Sequence, residues 1–124
     1  MKINHLDLQV ADVKESVALF ERLLGLTLES NRASPAIAIL GDGEGFTLVL
    51  QKRKSDEERY PEGFHFGSLV ADVDRVHAFH AAARAEGLEV SPVIENGRGT
   101  LVYARTPDGL LIEVSHHRPR APVA

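Results

Sequence analysis

Side chains along the first stretch of the chain sort into two sides. Leu6, Leu8 and Val10 fall on one face of an extended segment, and His5, Asp7 and Gln9 fall on the other. At Asp12 the period changes. Val13, Val17, Phe20 and Leu24 recur at helical spacing, Asp12 and Glu15 form a capping pattern at the start, and Gly25 supplies the stop. Three further strand-like runs follow, at 26–30, 36–40 and 46–52, separated by Ser34-Pro35 and by the Gly-rich turn at 41–45. The predicted order is βαβββ.

The same order returns. Val10-Ala11-Asp12-Val13 recurs as Val70-Ala71-Asp72-Val73, and the offset of 60 also carries His5 onto His65. Asp72 then caps a second helix with Val73, Val76, Phe79 and Ala83 as its apolar stripe and Gly87 as its terminator. Strands are predicted at 88–94, 100–105 and 110–116, with the Pro-Asp-Gly turn at 107–109 before the last. The pattern divides the chain into module one (1–52), a charged linker (53–62) and module two (63–116), together a single domain over 1–116. Residues 117–124 are read as a flexible tail.

Charge and composition narrow the function classes. Fourteen Lys plus Arg against 18 Asp plus Glu give a net charge of −4 without a clustered basic stripe, which argues against a nucleic-acid partner. No cysteine is present, so disulfides, thiolate metal sites and cysteine nucleophiles are excluded. No apolar run approaches membrane-span length and no secretory pattern opens the chain, so a cytoplasmic protein is expected.

Aligning the last strands of the two modules sets Glu113 against Val49. Glu113 shares a face with Leu111 and Ser115, opposite Leu110, Ile112 and Val114, which is the asymmetry of the opening strand. If the apolar faces meet the helices, then His5, His65 and Glu113 lie on the other faces. Two imidazoles and a carboxylate can hold a divalent metal and leave coordination positions open. Asp7, on the His5 face, is a candidate catalytic group, as a base or as support for a ligand. His77 and His80 are read as helix-face residues, and His116 and His117 as surface residues.

The segments "INHLDLQVADV", "FHFGSLVADVD" and "TPDGLLIEV" resemble the vicinal oxygen chelate superfamily, which includes glyoxalase I, extradiol dioxygenases, fosfomycin resistance enzymes and bleomycin-binding proteins. The resemblance runs from residue 1 to about 116. It implies an α+β fold in which two βαβββ modules form a curved, cup-like mixed sheet with helices outside. It also implies a homodimer, a small-molecule substrate and a divalent cation (Fe2+, Mn2+, Ni2+ or Zn2+) on His5, His65 and Glu113. Tyr103, ten residues before Glu113, matches a tyrosine of the dioxygenases and fosfomycin enzymes and is a second candidate catalytic residue.

Departures from the family pattern matter as well. Glyoxalase I takes a fourth ligand where Val49 stands, and valine binds no metal, so glyoxalase I activity is not expected. Leu50 and Gln51 occupy the region where extradiol dioxygenases place a histidine. Asp7 replaces a fosfomycin-enzyme threonine, and Arg118 and Arg120 are not in register with that group's basic residues. The expectation is a metal-dependent small-molecule enzyme, a lyase, isomerase, dioxygenase or epoxide-opening transferase. The alternative is a metal-free drug- or metabolite-binding protein of the bleomycin-resistance type.

Overall fold

Both copies of the repeat fold, each as a helix laid on its own mixed sheet. The computed structural model describes residues 1–31 and 34–119, so Arg120 and the end of the expected tail lie outside the described residues. The chain forms two units, Met1–Glu58 and Arg59–Ala124, divided inside the predicted linker. Among the described residues no helix is long and apolar enough to cross a membrane.

The first unit comprises β1 (His5–Val10), α1 (Val13–Leu24), β2 (Thr27–Ser30), β3 (Ile37–Gly41) and β4 (Thr47–Lys52), with sheet order β1-β4-β3-β2. β1 runs parallel to β4, and the remaining pairs are antiparallel. The alternation predicted for β1 decides its burial: Leu8 and Val10 are fully buried, while His5 and Gln9 are exposed. Asp12 caps α1 by accepting from the Glu15 amide at 2.9 Å, an arrangement worth about 1 kcal/mol. Gly25 closes the helix with φ of 68°, a left-handed conformation costly for any residue with a Cβ.

One core position of α1 differs from the expected stripe. Leu23, not Leu24, is buried beside Phe20, Val17 and Val13, because the step of three from Phe20 stays over the sheet.

The β3–β4 turn is held by one side chain. Asp42 Oδ1 accepts from the amides of Glu44 (2.7 Å) and Phe46 (3.0 Å). These donors, Glu44 first, hold the Asp42 carboxyl below its ordinary value. A depressed folded-state pKa stabilises the fold above the unfolded value and is lost as pH falls through the folded one. Asp42→Ala is therefore expected to lower Tm at neutral pH, with the gap to the unsubstituted protein closing in acid. Thermal melts across that range would show it, and a gap that widens in acid would contradict it.

The second unit comprises β5 (His65–Leu69), α2 (Val73–Ala85), β6 (Glu89–Val90), β7 (Ile94–Asn96), β8 (Gly99–Arg105) and β9 (Leu111–His117). The sheet order is β5-β9-β8-β6, with β7 also paired to β8. β5 runs parallel to β9, as β1 does to β4. Val76, Phe79 and Ala83 of α2 are buried as predicted, and Asp72 caps the helix through the Arg75 amide at 3.0 Å.

The single strand expected at 88–94 is broken into β6 and β7. Pro92 has no N–H for a ladder. Just before it, Ser91 keeps two bonds to β8: its amide donates to the Tyr103 carbonyl and its hydroxyl accepts from the Tyr103 amide, both at 2.9 Å. The last strand extends through His117, one residue beyond the predicted module boundary. His116 is half-buried there, its Nδ1 donating to the Val70 carbonyl at 3.1 Å, so it is not the free surface residue expected.

Candidate metal centre

The second unit brings three of the expected residues together. Glu113 lies on β9 between its Cα partners Tyr103 on β8 and Gly67 on β5. His65 stands two residues before Gly67 and therefore on the same strand face. Its ring meets the Tyr103 ring edge to face, with centroids 6.3 Å apart and an interplanar angle of 85°.

Glu113 is half-buried and well supplied with donors. Ser115 Oγ donates to Glu113 Oε2 at 2.9 Å, and the Tyr103 hydroxyl bonds to the same carboxylate. Burial pushes the Glu113 carboxyl up, but the Tyr103 and Ser115 hydroxyls, with the charges of His65 and Arg98, outweigh it and leave the group below its ordinary value. Tyr103 moves the other way. The Glu113 carboxylate, followed by burial, raises its phenol against the opposing bond from Arg98. Glu113 thus stands as an anion and Tyr103 as a proton-bearing donor.

The tautomer of His65 follows from its partner. Nδ1 lies 3.0 Å from the Gly63 carbonyl, which can only accept, so Nδ1 carries the proton. In the neutral ring, Nε2 is then the nitrogen with a free lone pair. Fixing the distal N–H on a backbone carbonyl is the usual way to orient a ligating imidazole.

In the first unit, His5, Asp7 and Gln9 share the open face of β1, and their Cα partners on β4 are Thr47, Val49 and Gln51. Asp7 Oδ1 accepts from Gln9 Nε2 at 3.0 Å and Oδ2 from Gln51 Nε2 at 2.5 Å. His5 is exposed. The His-His-Glu set divides between the units, His5 in the first and His65 with Glu113 in the second. Among the described residues no three His, Asp or Glu side chains gather closely enough to hold a metal.

Three supporting residues escaped the sequence reading. Alternation puts Ser115 on the Glu113 face, and the structure adds its complete burial and its bond to the carboxylate. Gln51 sits at the matching place in the first unit. Arg98 projects from the β7–β8 turn, where no periodicity could assign it, and its backbone is pinned by Asn96 Oδ1 at 2.9 Å and by the Arg118 amide at 2.8 Å. His77 and His80 stand apart from these groups. With Arg84 and Ser91 they border a cavity of about 560 Å³ beside α2.

The chain belongs to the Glyoxalase/Bleomycin resistance protein/Dioxygenase superfamily, whose family model matches residues 2–114. Within it, the chain is 29% identical over 123 residues to a lactoylglutathione lyase of Haemophilus influenzae, covering 91% of this chain and 90% of that protein. A possible glyoxalase from Bacillus cereus, known as a structure, shares 34% identity and superposes with a TM-score of 0.81 over 93% of this chain and 98% of its own. The fosfomycin resistance protein FosX of Listeria monocytogenes, solved with Mn(II) and sulfate ion, has the same fold at 18% identity, with a TM-score of 0.78 over 94% of this chain and 90% of its own.

Proposed function

We propose that this protein is a divalent-metal-dependent enzyme acting on a small oxygen-bearing substrate, with His5, His65 and Glu113 as metal ligands. The observation that carries the reading is the hydrogen bond that orients His65. Its Nδ1 is committed to the Gly63 carbonyl, so Nε2 is the nitrogen left to bind a cation, on the strand next to the ionised Glu113. An imidazole oriented through its Nδ1, beside a carboxylate held in its anionic form, suits Fe2+, Mn2+, Ni2+ or Zn2+. The FosX structure with Mn(II) is a precedent for such an ion on this fold.

When bound, the cation would supply Lewis-acid polarisation of a substrate oxygen. Tyr103 is the proposed catalytic donor: its hydroxyl, kept protonated beside Glu113, is placed to hydrogen-bond an oxygen that gains negative charge. Ser115 and Arg98 position Glu113 and Tyr103. Asp7, with both oxygens held by glutamine amides, is the second proposed catalytic group and contributes from the His5 face. Val49, beside Asp7, supplies no donor of its own, so we do not extend the lactoylglutathione lyase activity of the relatives to this chain.

We further propose a homodimer in the cytoplasm. Leu69, 70% exposed on the His65 strand face, and Ile39, 37% exposed and paired with Val49, are apolar groups that a second copy or a substrate body would cover.

Metal analysis tests the central claim on protein purified without chelator or affinity tag. Stoichiometric divalent metal is expected, with its loss in a folded His5→Ala variant. Metal-free protein that still binds small organic ligands, unchanged by His5→Ala, would overturn the reading in favour of a binding protein of the bleomycin-resistance type.

A further inference from the structure

A row of basic side chains runs along α2 in the second unit. His77, His80 and Arg84 follow one another at steps of three and four, which sets them within about 60° of one another around the helix. The buried stripe of Val76, Phe79 and Ala83 lies about a quarter turn away, so the basic row occupies the flank of the helix and not the side over the sheet.

Beside that flank the sheet is broken. The strand stops at Val90 and resumes at Ile94, with Pro92 between them. The space between helix and broken strand is the cavity of about 560 Å³. Its far wall is held in place. The Ser91 amide donates to the Tyr103 carbonyl and the Ser91 hydroxyl accepts from the Tyr103 amide, both at 2.9 Å, while the same hydroxyl donates to the Pro92 carbonyl at 2.8 Å. The cavity is therefore built into the fold, and its volume falls in the range of about 300–1,000 Å³ typical of small-molecule sites.

The lining carries one sign of charge. His77, His80 and Arg84 are its ionisable groups, and no carboxylate borders it. Glu89 falls on the opposite face of β6 from Val90, which does border it. In a chain of net charge −4 this is a local reversal. Arg84 carries a permanent charge, and each imidazole offers an N–H in either protonation state. Among the described residues none of these three side chains enters a hydrogen bond or ion pair, whereas those of Arg53, Arg75 and Arg105 each have a partner. The last turn of α2 suits Arg84 through the helix dipole, but that accounts for neither histidine, both of which stand in the middle of the helix.

We propose that this cavity binds a small organic anion. Its phosphate or carboxylate group meets Arg84 and the two imidazoles, and its apolar part rests on Val90, Pro92 and Val93. The cavity uses none of the proposed metal ligands.

Titration of the full chain with phenyl phosphate and with benzoate, followed through the imidazole resonances, tests it. The two anions share one apolar body, so the tighter of them identifies the anionic group. Saturable shifts of the His77 and His80 rings are expected, with none from phenol, which lacks the charge. Arg84→Gln should weaken binding by at least about tenfold, as loss of a charge-assisted donor does. Glu113→Ala should leave the affinity unchanged. The proposal is overturned by absence of saturation with either anion, by equal affinity in Arg84→Gln, or by phenol binding as tightly as the anions. Loss of the shifts in Glu113→Ala overturns it as well, because the anion would then sit at the metal centre.

Discussion

Gly67→Ala is expected to destabilise the protein by more than about 3 kcal/mol, beyond the usual range for an overpacked site. A Cβ at Gly67 would overlap the main-chain carbonyl of Glu113, its Cα partner across the β5–β9 pair, and crowd the carbonyl carbon and amide of the same residue. Backbone in the middle of a sheet cannot swing aside as a side chain can, so relief requires the two strands to part. Against a typical total of about 5–15 kcal/mol, that is a large fraction of the fold's stability. Gly41→Ala is the control. There the atoms nearest the Cβ all belong to the carboxylate end of Glu29, which rotates away, and a change within about 1 kcal/mol is expected. Denaturant titration reads the difference as a fall in midpoint at constant slope. A Gly67→Ala variant as stable as Gly41→Ala would mean that the β5–β9 pairing is not as described.

Gly67 also marks a limit of sequence reading. Periodicity along one strand says which face a residue joins, and on that basis β1, β9 and both helices are legible: Leu8, Val10, Ile112 and Val114 are buried where alternation puts them. The repeat is legible too, because caps and terminators recur with it, and it leads to His65 and Glu113 as residues of one unit. Which residue lies opposite which is a property of register, set by turns and by the whole sheet. For that reason the pairing of Asp7 with Val49 and of Gly67 with Glu113 appears only in the structure. The break at Pro92 was concealed by an apolar run that reads equally well as one strand. Arg98 was concealed more completely: a turn residue reaching into a sheet face obeys neither the helical nor the strand period.

Glu113→Ala is expected to abolish stoichiometric metal retention, the largest loss among substitutions in the second unit. Three consequences follow from one deletion. The anionic ligand disappears, and with it the charge that offsets a divalent cation. The hydroxyls of Tyr103 and Ser115 lose their common acceptor, so the side chains that now brace the site are free to turn elsewhere. His65 keeps its Nδ1 bond to Gly63 and its orientation, but stands alone as a ligand in its unit. Ser115→Ala and Tyr103→Phe each remove only one hydroxyl from the carboxylate, and each should weaken metal binding by about tenfold, the scale of a residue that orients a ligand. The graded order, Glu113→Ala far below the two single-donor variants, is what distinguishes a ligand from its supports. Metal titrations of the three variants measure it directly. If Glu113→Ala retains metal as well as Ser115→Ala does, Glu113 is a bystander to the cation and the proposed ligand set fails.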